Sequence, residues 1–334
     1  MLTDDTKLAH PATKPHTVGG VDLAMAGEIA VCALVEGDYH LGLGALVNSL
    51  YRAGYRGTVW AGHRGELPPW AAAGDRSGPM PRFEAAPGCT VRFVRLDFEG
   101  HLTNAKPGFI LRLFDRLAPQ AAAVVYFDAD VVLLAPWRFV ADWVAGGVAV
   151  CADIAHADMS QSHPLRTHWR RLAERLGRAT RNVTGYYNGG FIGVRREYRD
   201  LVEVWDHMVR ILPELGAPLT TFHSRDRTDP FMAMDQDMLN AAIMASGVPI
   251  AAAGAEAMDF VPGGAFMAHA VATPKPWRPG TLWRALQGYP PMRAHKRYWD
   301  FVDGPIRLFS PARARRAKLE LSLAAAIGRF YRRA

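Results

Sequence analysis

Short apolar runs alternate with amphipathic stretches along most of the chain. Ile29–Val35 is wholly apolar and reads as a buried strand. Leu43, Leu46, Val47 and Leu50 then recur at the three- and four-residue spacing of a helix that ends at Gly54. Thr58–Ala61, Val91–Leu96, Val124–Phe127, Val148–Cys151 and Phe191–Val194 are further strand candidates. Helices are predicted over Phe109–Leu117, stopping at Pro119, over 165–177, over Leu201–Leu212 and over Gln236–Ala245. This succession predicts an α/β fold with a mostly parallel central sheet flanked by helices on both faces. Residues 1–26 read as a polar N-terminal arm, 27–290 as the catalytic-sized domain, and 291–334 as a basic helical C-terminal extension. Residues 62–88 hold five prolines and five glycines and predict a surface excursion. Residues 153–187, rich in His and Arg, read as a substrate-facing segment, and 216–234 as a loop.

Composition sharpens this picture in three places. At 334 residues and 49% hydrophobic, the chain can bury one large core or two modest ones. Its net charge is +7, and the last 22 residues carry seven cations (Arg313, Arg315, Arg316, Lys318, Arg329, Arg332, Arg333) against Glu320, a net of +6. The body is therefore almost neutral, which argues against a nucleic-acid-binding face. Cys32, Cys89 and Cys151 are odd in number and far apart, so they suggest neither a disulfide framework nor a CxxC metal site. A reducing, cytoplasmic compartment is the expectation. The first residues lack the apolar core of a secretory signal, and no charge-free apolar run is long enough to span a membrane.

The most informative segment is AAVVYFDADVVL, residues 123–134. A buried strand delivers Asp128 and Asp130, and residues two apart in an extended chain point to the same side. Two carboxylates aimed at one spot call for a cation between them, and hard oxygen ligands suit Mn2+ or Mg2+. In α/β folds ligands collect at the carboxyl ends of strands, where these residues stand.

Three further motifs follow in order: Tyr187-Asn188-Gly189-Gly190-Phe191-Ile192-Gly193-Val194, Met234-Asp235-Gln236-Asp237-Met238-Leu239-Asn240, and His269 followed six residues on by Lys275-Pro276-Trp277. With Asp128-Ala129-Asp130 they resemble glycosyltransferase family 8, the retaining enzymes that include glycogenin and bacterial lipopolysaccharide galactosyl- and glucosyltransferases. Asp38-Tyr39 and the segment Gly44 to Leu50 are similar to the family's first loop and helix. The resemblance runs from about Ile29 to Trp277. It departs at Ala272, where the family usually has Gly, and at the end of the first strand, where Glu36 stands in place of the usual Thr, Asp or Asn near the base.

The resemblance implies the GT-A fold of nucleotide-diphospho-sugar transferases. It also implies a Mn2+-dependent hexosyltransferase using a UDP-hexose, with galactose or glucose as the sugar. Asp128, Asp130 and His269 would hold the metal, and Lys275 would reach the diphosphate. Tyr39 would stack on the base. Arg112 is the candidate basic residue for the donor, with Lys106 competing for the role. Asn188, Asp235, Gln236 and Asp237 would line the sugar and acceptor side. Asp235 and Asp237 could equally be carboxylates favoured by a helix N-terminus. Retention could proceed by front-face substitution or by double displacement through Asp237 or Gln236. The acceptor would be a hydroxyl on a glycan, a glycolipid or a small molecule. The alternative class is a metal-dependent nucleotide-sugar hydrolase or nucleotidyltransferase. Leu319, Leu323, Ile327 and Phe330 recur at helical spacing among arginines. Such a basic amphipathic helix suits an anionic membrane surface, which would make the protein peripheral on the inner face, or it packs on the domain.

Overall fold

The computed structural model describes residues 29–156, 159–220, 222–224, 226 and 229–333; the predicted arm, 1–26, lies outside them. In chain order the first half comprises β1 (Ile29–Glu36), α1 (His40–Arg52), β2 (Gly57–Arg64), β3 (Arg82–Ala86), β4 (Cys89–Arg95), α2 (Lys106–Arg112), β5 (Ala123–Phe127), β6 (Val131–Leu133), α3 (Trp137–Ala145) and β7 (Val148–Ala152). The second half comprises α4 (Pro164–Arg175), β8 (Tyr187–Arg195), α5 (Arg199–Arg210), α6 (Met234–Met244), β9 (Ile250–Ala253), β10 (Met267–His269), α7 (Thr281–Leu286), α8 (Arg293–Tyr298) and α9 (Pro311–Phe330).

Eight strands form one sheet in the order β3-β4-β2-β1-β5-β8-β7-β9. The pairings β4-β2, β2-β1, β1-β5 and β7-β9 are parallel. The sheet is thus mostly parallel, as its apolar strands imply. Strand β1 shows how both faces are covered. Ile29, Val31, Ala33 and Val35 pack in a layer with Leu43 and Leu46 of α1 and Val140 of α3. The alternate residues Ala30, Cys32 and Leu34 pack in the opposite layer with Phe109 of α2, Trp169 of α4, Trp205 of α5 and Met238 of α6. A period-2 strand apolar at every position needs such a layer on each side.

Several elements were not foreseen. The proline- and glycine-rich excursion ends in β3, which pairs antiparallel with β4 at the sheet edge and carries the exposed charges Arg82 and Glu84 that blunt such an edge. Strand β8 runs antiparallel to both β5 and β7. The short strands β6 and β10 form a separate antiparallel pair, and α3 fills the interval before β7.

The segment after residue 290 packs against a third apolar cluster. Tyr298, Trp299, Phe309 and Leu321 join Val132 of β6 and Trp277 there. Asn48 of α1 ties this segment down: its amide donates to Phe301 O at 2.8 Å and Ile306 O at 2.7 Å and accepts from Ile306 N at 2.8 Å.

Candidate functional site

Strand β5 is buried to Phe127, and the chain then turns sharply into β6. Asp128 N donates to Gly190 O at 2.8 Å, and Val131 N donates to Asp128 O at 3.0 Å. Because β10 pairs with β6 in the register His269↔Val131, the imidazole lands beside the turn. His269 Nε2 stands 3.2 Å from Asp130 Oδ1 and 3.7 Å from Asp128 Oδ2. One ligand atom from each of Asp128, Asp130 and His269 lies within 4.8 Å of the other two. Two carboxylate oxygens with an imidazole nitrogen form a donor set that suits Mn2+ or Mg2+. The residues fit a divalent cation.

Two glycines make the arrangement sterically possible. A Cβ at Gly42 of α1 would lie 2.3 Å from Ala129 O and 2.9 Å from Trp277 Cη2, so only glycine lets the helix pass under the turn. A Cβ at Gly190 would lie 2.3 Å from His269 Cε1.

Two buried lysines face the aspartates from opposite sides. Lys106, only 1% exposed, places Nζ 2.6 Å from Asp235 Oδ2 and 3.1 Å from Asp128 Oδ1, and donates to Gly189 O at 2.9 Å. Burial works against its charge, but Asp128 and Asp235 outweigh burial and hold its pKa above the ordinary lysine value. Tyr126, two residues before Asp128 on the same side of the strand, donates its hydroxyl to Asp128 Oδ1 at 2.7 Å. Lys275 donates to Asp130 Oδ2 at 2.5 Å and to Ala270 O at 2.8 Å. Burial disfavours the Asp130 carboxylate, yet His269 and Lys275 hold it well below the usual carboxylate range.

These groups line a cavity of about 610 Å³ at the carboxyl ends of β1 and β5, a size that takes a nucleotide-sized ligand. Among its described lining residues six carboxylates (Glu36, Asp38, Asp128, Asp130, Asp153, Asp235) face three cations (Lys106, Lys275, Arg278). A divalent cation would reduce that acidic excess.

The expected site residues divide. Tyr39, Lys106, Asp128, Asp130, Asn188, Asp235, Gln236, His269 and Lys275 all line this cavity. Tyr39 stands edge-on to Trp277 at 5.4 Å between ring centroids. Gln236 accepts from Gly189 N at 2.8 Å through Oε1, and Asn188 accepts from Gly190 N at 2.8 Å. Arg112 does not reach the cavity. It is exposed and bonds Arg95 O. Six residues separate it from Lys106, which lines the cavity, so it lies on another face of α2.

Asp237 also sits behind the cavity wall. Two residues after Asp235 on α6, it points about 200° away around the helix. Its carboxylate accepts from Tyr186 Oη at 2.8 Å and from Ala233 N at 2.7 Å. It reaches back to the helix start, as the alternative reading of these carboxylates has it. Burial pushes its pKa up to about 8, against the bonds from Ala233 and Tyr186.

Three contributors escaped the sequence reading. Asp153, at the end of β7, accepts from Asn188 Nδ2 at 2.6 Å. Arg278 holds Asp38 through two bonds of 2.7 Å and lies 5.6 Å from the Tyr39 ring. Tyr126 had a legible signal, its i−2 relation to Asp128. Glu36, noted at the first strand's end, is held by Arg64 at 2.6 and 2.8 Å.

No protein-family model and no curated protein matches the chain. Its backbone is similar to several glycosyltransferases of known structure. One is the galactosyltransferase LgtC with donor and acceptor sugar analogues, at 14% identity and TM-score 0.49, over 86% of this chain and 99% of that one. Another is the bifunctional glycosyltransferase WbbM, at 14% identity and TM-score 0.47, over 88% of this chain and 52% of that one. A third is the glycosyltransferase GlyE of Streptococcus pneumoniae TIGR4, at 11% identity and TM-score 0.47, over 89% of this chain and 64% of that one. These are likenesses in the course of the chain; the site's own chemistry carries the functional reading.

Proposed function

We propose that the chain is a GT-A-type retaining glycosyltransferase that moves a hexose, galactose or glucose, from a UDP-hexose to an acceptor hydroxyl. The observation that carries this reading is the convergence of Asp128, Asp130 and His269 within 4.8 Å beside Lys275, in a cavity of nucleotide size. The four ordered motifs that resemble family 8 point the same way.

Asp128, Asp130 and His269 would hold Mn2+ or Mg2+, which when bound neutralises charge on the diphosphate as the anomeric bond breaks. Lys275 adds a buried cation on the same side and stabilises the departing nucleotide. Tyr39 offers an aromatic face to the base, and Arg278 offsets the charge of Asp38 at the cavity wall. On the sugar side, Asn188 and Gln236 line the cavity, fixed by the amides of Gly190 and Gly189, and Asn188 also holds Asp153. Lys106 positions Asp128 and Asp235 at once. Front-face substitution is the favoured course. Double displacement through Asp237 has its carboxylate against it, because that group is turned into the protein and bonded to Tyr186 and Ala233.

A peripheral membrane position is part of the same proposal. Leu319 and Leu323 of α9 and Trp283 and Leu286 of α7 are exposed, and Phe330 is 92% exposed. The surrounding arginines make this apolar face complementary to an anionic bilayer. Within α9 it is Leu321 and Ala324 that are buried, so the helix packs on the domain through one face and leaves the other uncovered. Among the described residues no helix is long and apolar enough to cross a membrane.

The test is a thermal-shift panel of UDP-, GDP-, CMP- and dTDP-sugars with and without Mn2+. A Mn2+-dependent rise with UDP-hexoses that is absent in Asp130→Ala is the expected result. Free hexose released without any acceptor would instead favour a hydrolase, and no response to any nucleotide sugar overturns the reading.

A further inference from the structure

We propose that a second cavity, behind the loop that carries Lys275, binds a phosphate ester bearing a free hydroxyl. Its volume is about 420 Å³, and its walls come from Ala272–Pro274, α7, the start of α8 and the last residues of the chain. It shares a loop with the large cavity: Val271 and Lys275 line one side, and Ala272, Thr273 and Pro274 line the other. The proposal stands on this cavity's chemistry and does not depend on what the large cavity transforms.

Three cations line it, Arg284, Arg332 and Arg333, and no carboxylate does among the described residues. None of the three has an ion-pair partner among the described residues. Two of them are nonetheless held in place. Arg284 lies over the Tyr289 ring with Cζ 4.3 Å from its centroid, and its Nε is buried without a hydrogen-bond partner. Arg333 N donates to Gly288 O at 2.9 Å, which fastens the chain's end to the end of α7. Guanidinium groups gathered without acids form a site for a phosphate, whose oxygens match their planar donors.

His295 adds the second recognition element. It is 3% exposed and lines the same cavity. Its Nε2 stands 2.9 Å from Pro274 O; a carbonyl only accepts, so Nε2 carries the proton and Nδ1 is left as an acceptor. That Nδ1 has no partner. An acceptor beside three cations suits a ligand with a hydroxyl next to its phosphate, and Thr281 supplies a further hydroxyl. Glycerol phosphate has this chemistry, either free or as the headgroup of phosphatidylglycerol. Trp283, 65% exposed beside Arg284, favours the lipid source.

The test uses the full chain, freed of metal, and glycerol 3-phosphate in equilibrium titration. Saturable binding is expected in wild type. It should weaken about tenfold or more in Arg284→Gln/Arg332→Gln, with the thermal midpoint unchanged as the control for folding. Absence of binding by wild type or an unaffected double variant would each overturn the site. Flotation with phosphatidylcholine vesicles, with and without phosphatidylglycerol, identifies the source. Competition by glycerol 3-phosphate against the anionic vesicles supports a lipid headgroup, and solution binding without such competition supports the same site for a free phosphate ester.

Discussion

In the large cavity Lys106 and Lys275 are buried against Asp128, Asp235 and Asp130, whereas Arg284, Arg332 and Arg333 line the second cavity with no carboxylate beside them. One loop, residues 271–275, separates the two. The difference teaches what each charge is for. A buried charge can stay charged only beside its opposite, so in the large cavity Lys106, Lys275 and the acids they face support the fold as well as the chemistry. A charge at a solvent-open wall needs no partner, and its removal should leave the fold intact. Substitutions can break this distinction.

The largest effect is expected at Lys106. Lys106→Met leaves Asp128 and Asp235 facing one another without a cation, and a loss of about 3–5 kcal/mol is expected in urea unfolding. A variant as stable as wild type would refute the structural half of the comparison. At Asp130→Ala the expected loss is about a hundredfold or more in metal-dependent turnover, with a weaker response to Mn2+ in thermal-shift assays. Unchanged turnover would remove Asp130 from the proposed metal set.

A steric test comes next. Gly42→Ala forces a methyl against Ala129 O and should cost about 1–3 kcal/mol. Full stability and full activity together would mean that the turn bearing the two aspartates can move aside freely.

Asp237 gives a smaller, pH-dependent effect. Its folded pKa, near 8, lies above its unfolded value, so the folded chain holds a proton that the unfolded chain releases between about pH 4 and pH 8. Its contribution to stability is fully present below the unfolded pKa and is lost as pH rises through that window, at up to about 1.4 kcal/mol per pH unit. Asp237→Asn should flatten the decline in thermal midpoint between pH 5 and pH 8; an unaltered slope would assign the decline elsewhere. The smallest effect belongs to Arg284→Gln/Arg332→Gln, whose unfolding midpoint should match wild type.

Much of the scaffold was legible because buried strands write themselves as apolar runs. Strands β1, β5, β7 and β8 stand where Ile29–Val35, Val124–Phe127, Val148–Cys151 and Phe191–Val194 predict them. Helix α3 carried a readable signal in Trp137, Val140, Ala141 and Val144, but its short span between two apolar runs hid it. The pair β6 and β10 was not legible, since three-residue strands have no period to detect. Within the site, motif order located the residues now gathered at the cavity. Helical angle alone shows that Arg112 and Lys106, like Asp237 and Asp235, cannot share a face; which of each pair meets the cavity is set by the packing of α2 and α6. Asp153 was beyond reach, since its partner Asn188 is brought to it only by the sheet.

The hold that Asn48 keeps on Phe301 and Ile306 sets a schedule for the newborn chain. Its amide belongs to α1, yet its three bonds span more than 250 positions. Until residue 306 has been synthesised, that amide has only water to bond, and the apolar surface beside it stays wet. The early strands can assemble on the ribosome, but the layer beneath the aspartate turn cannot close there. Its completion waits for residues 301–306, and until then the apolar surface around Trp277 stays open to solvent.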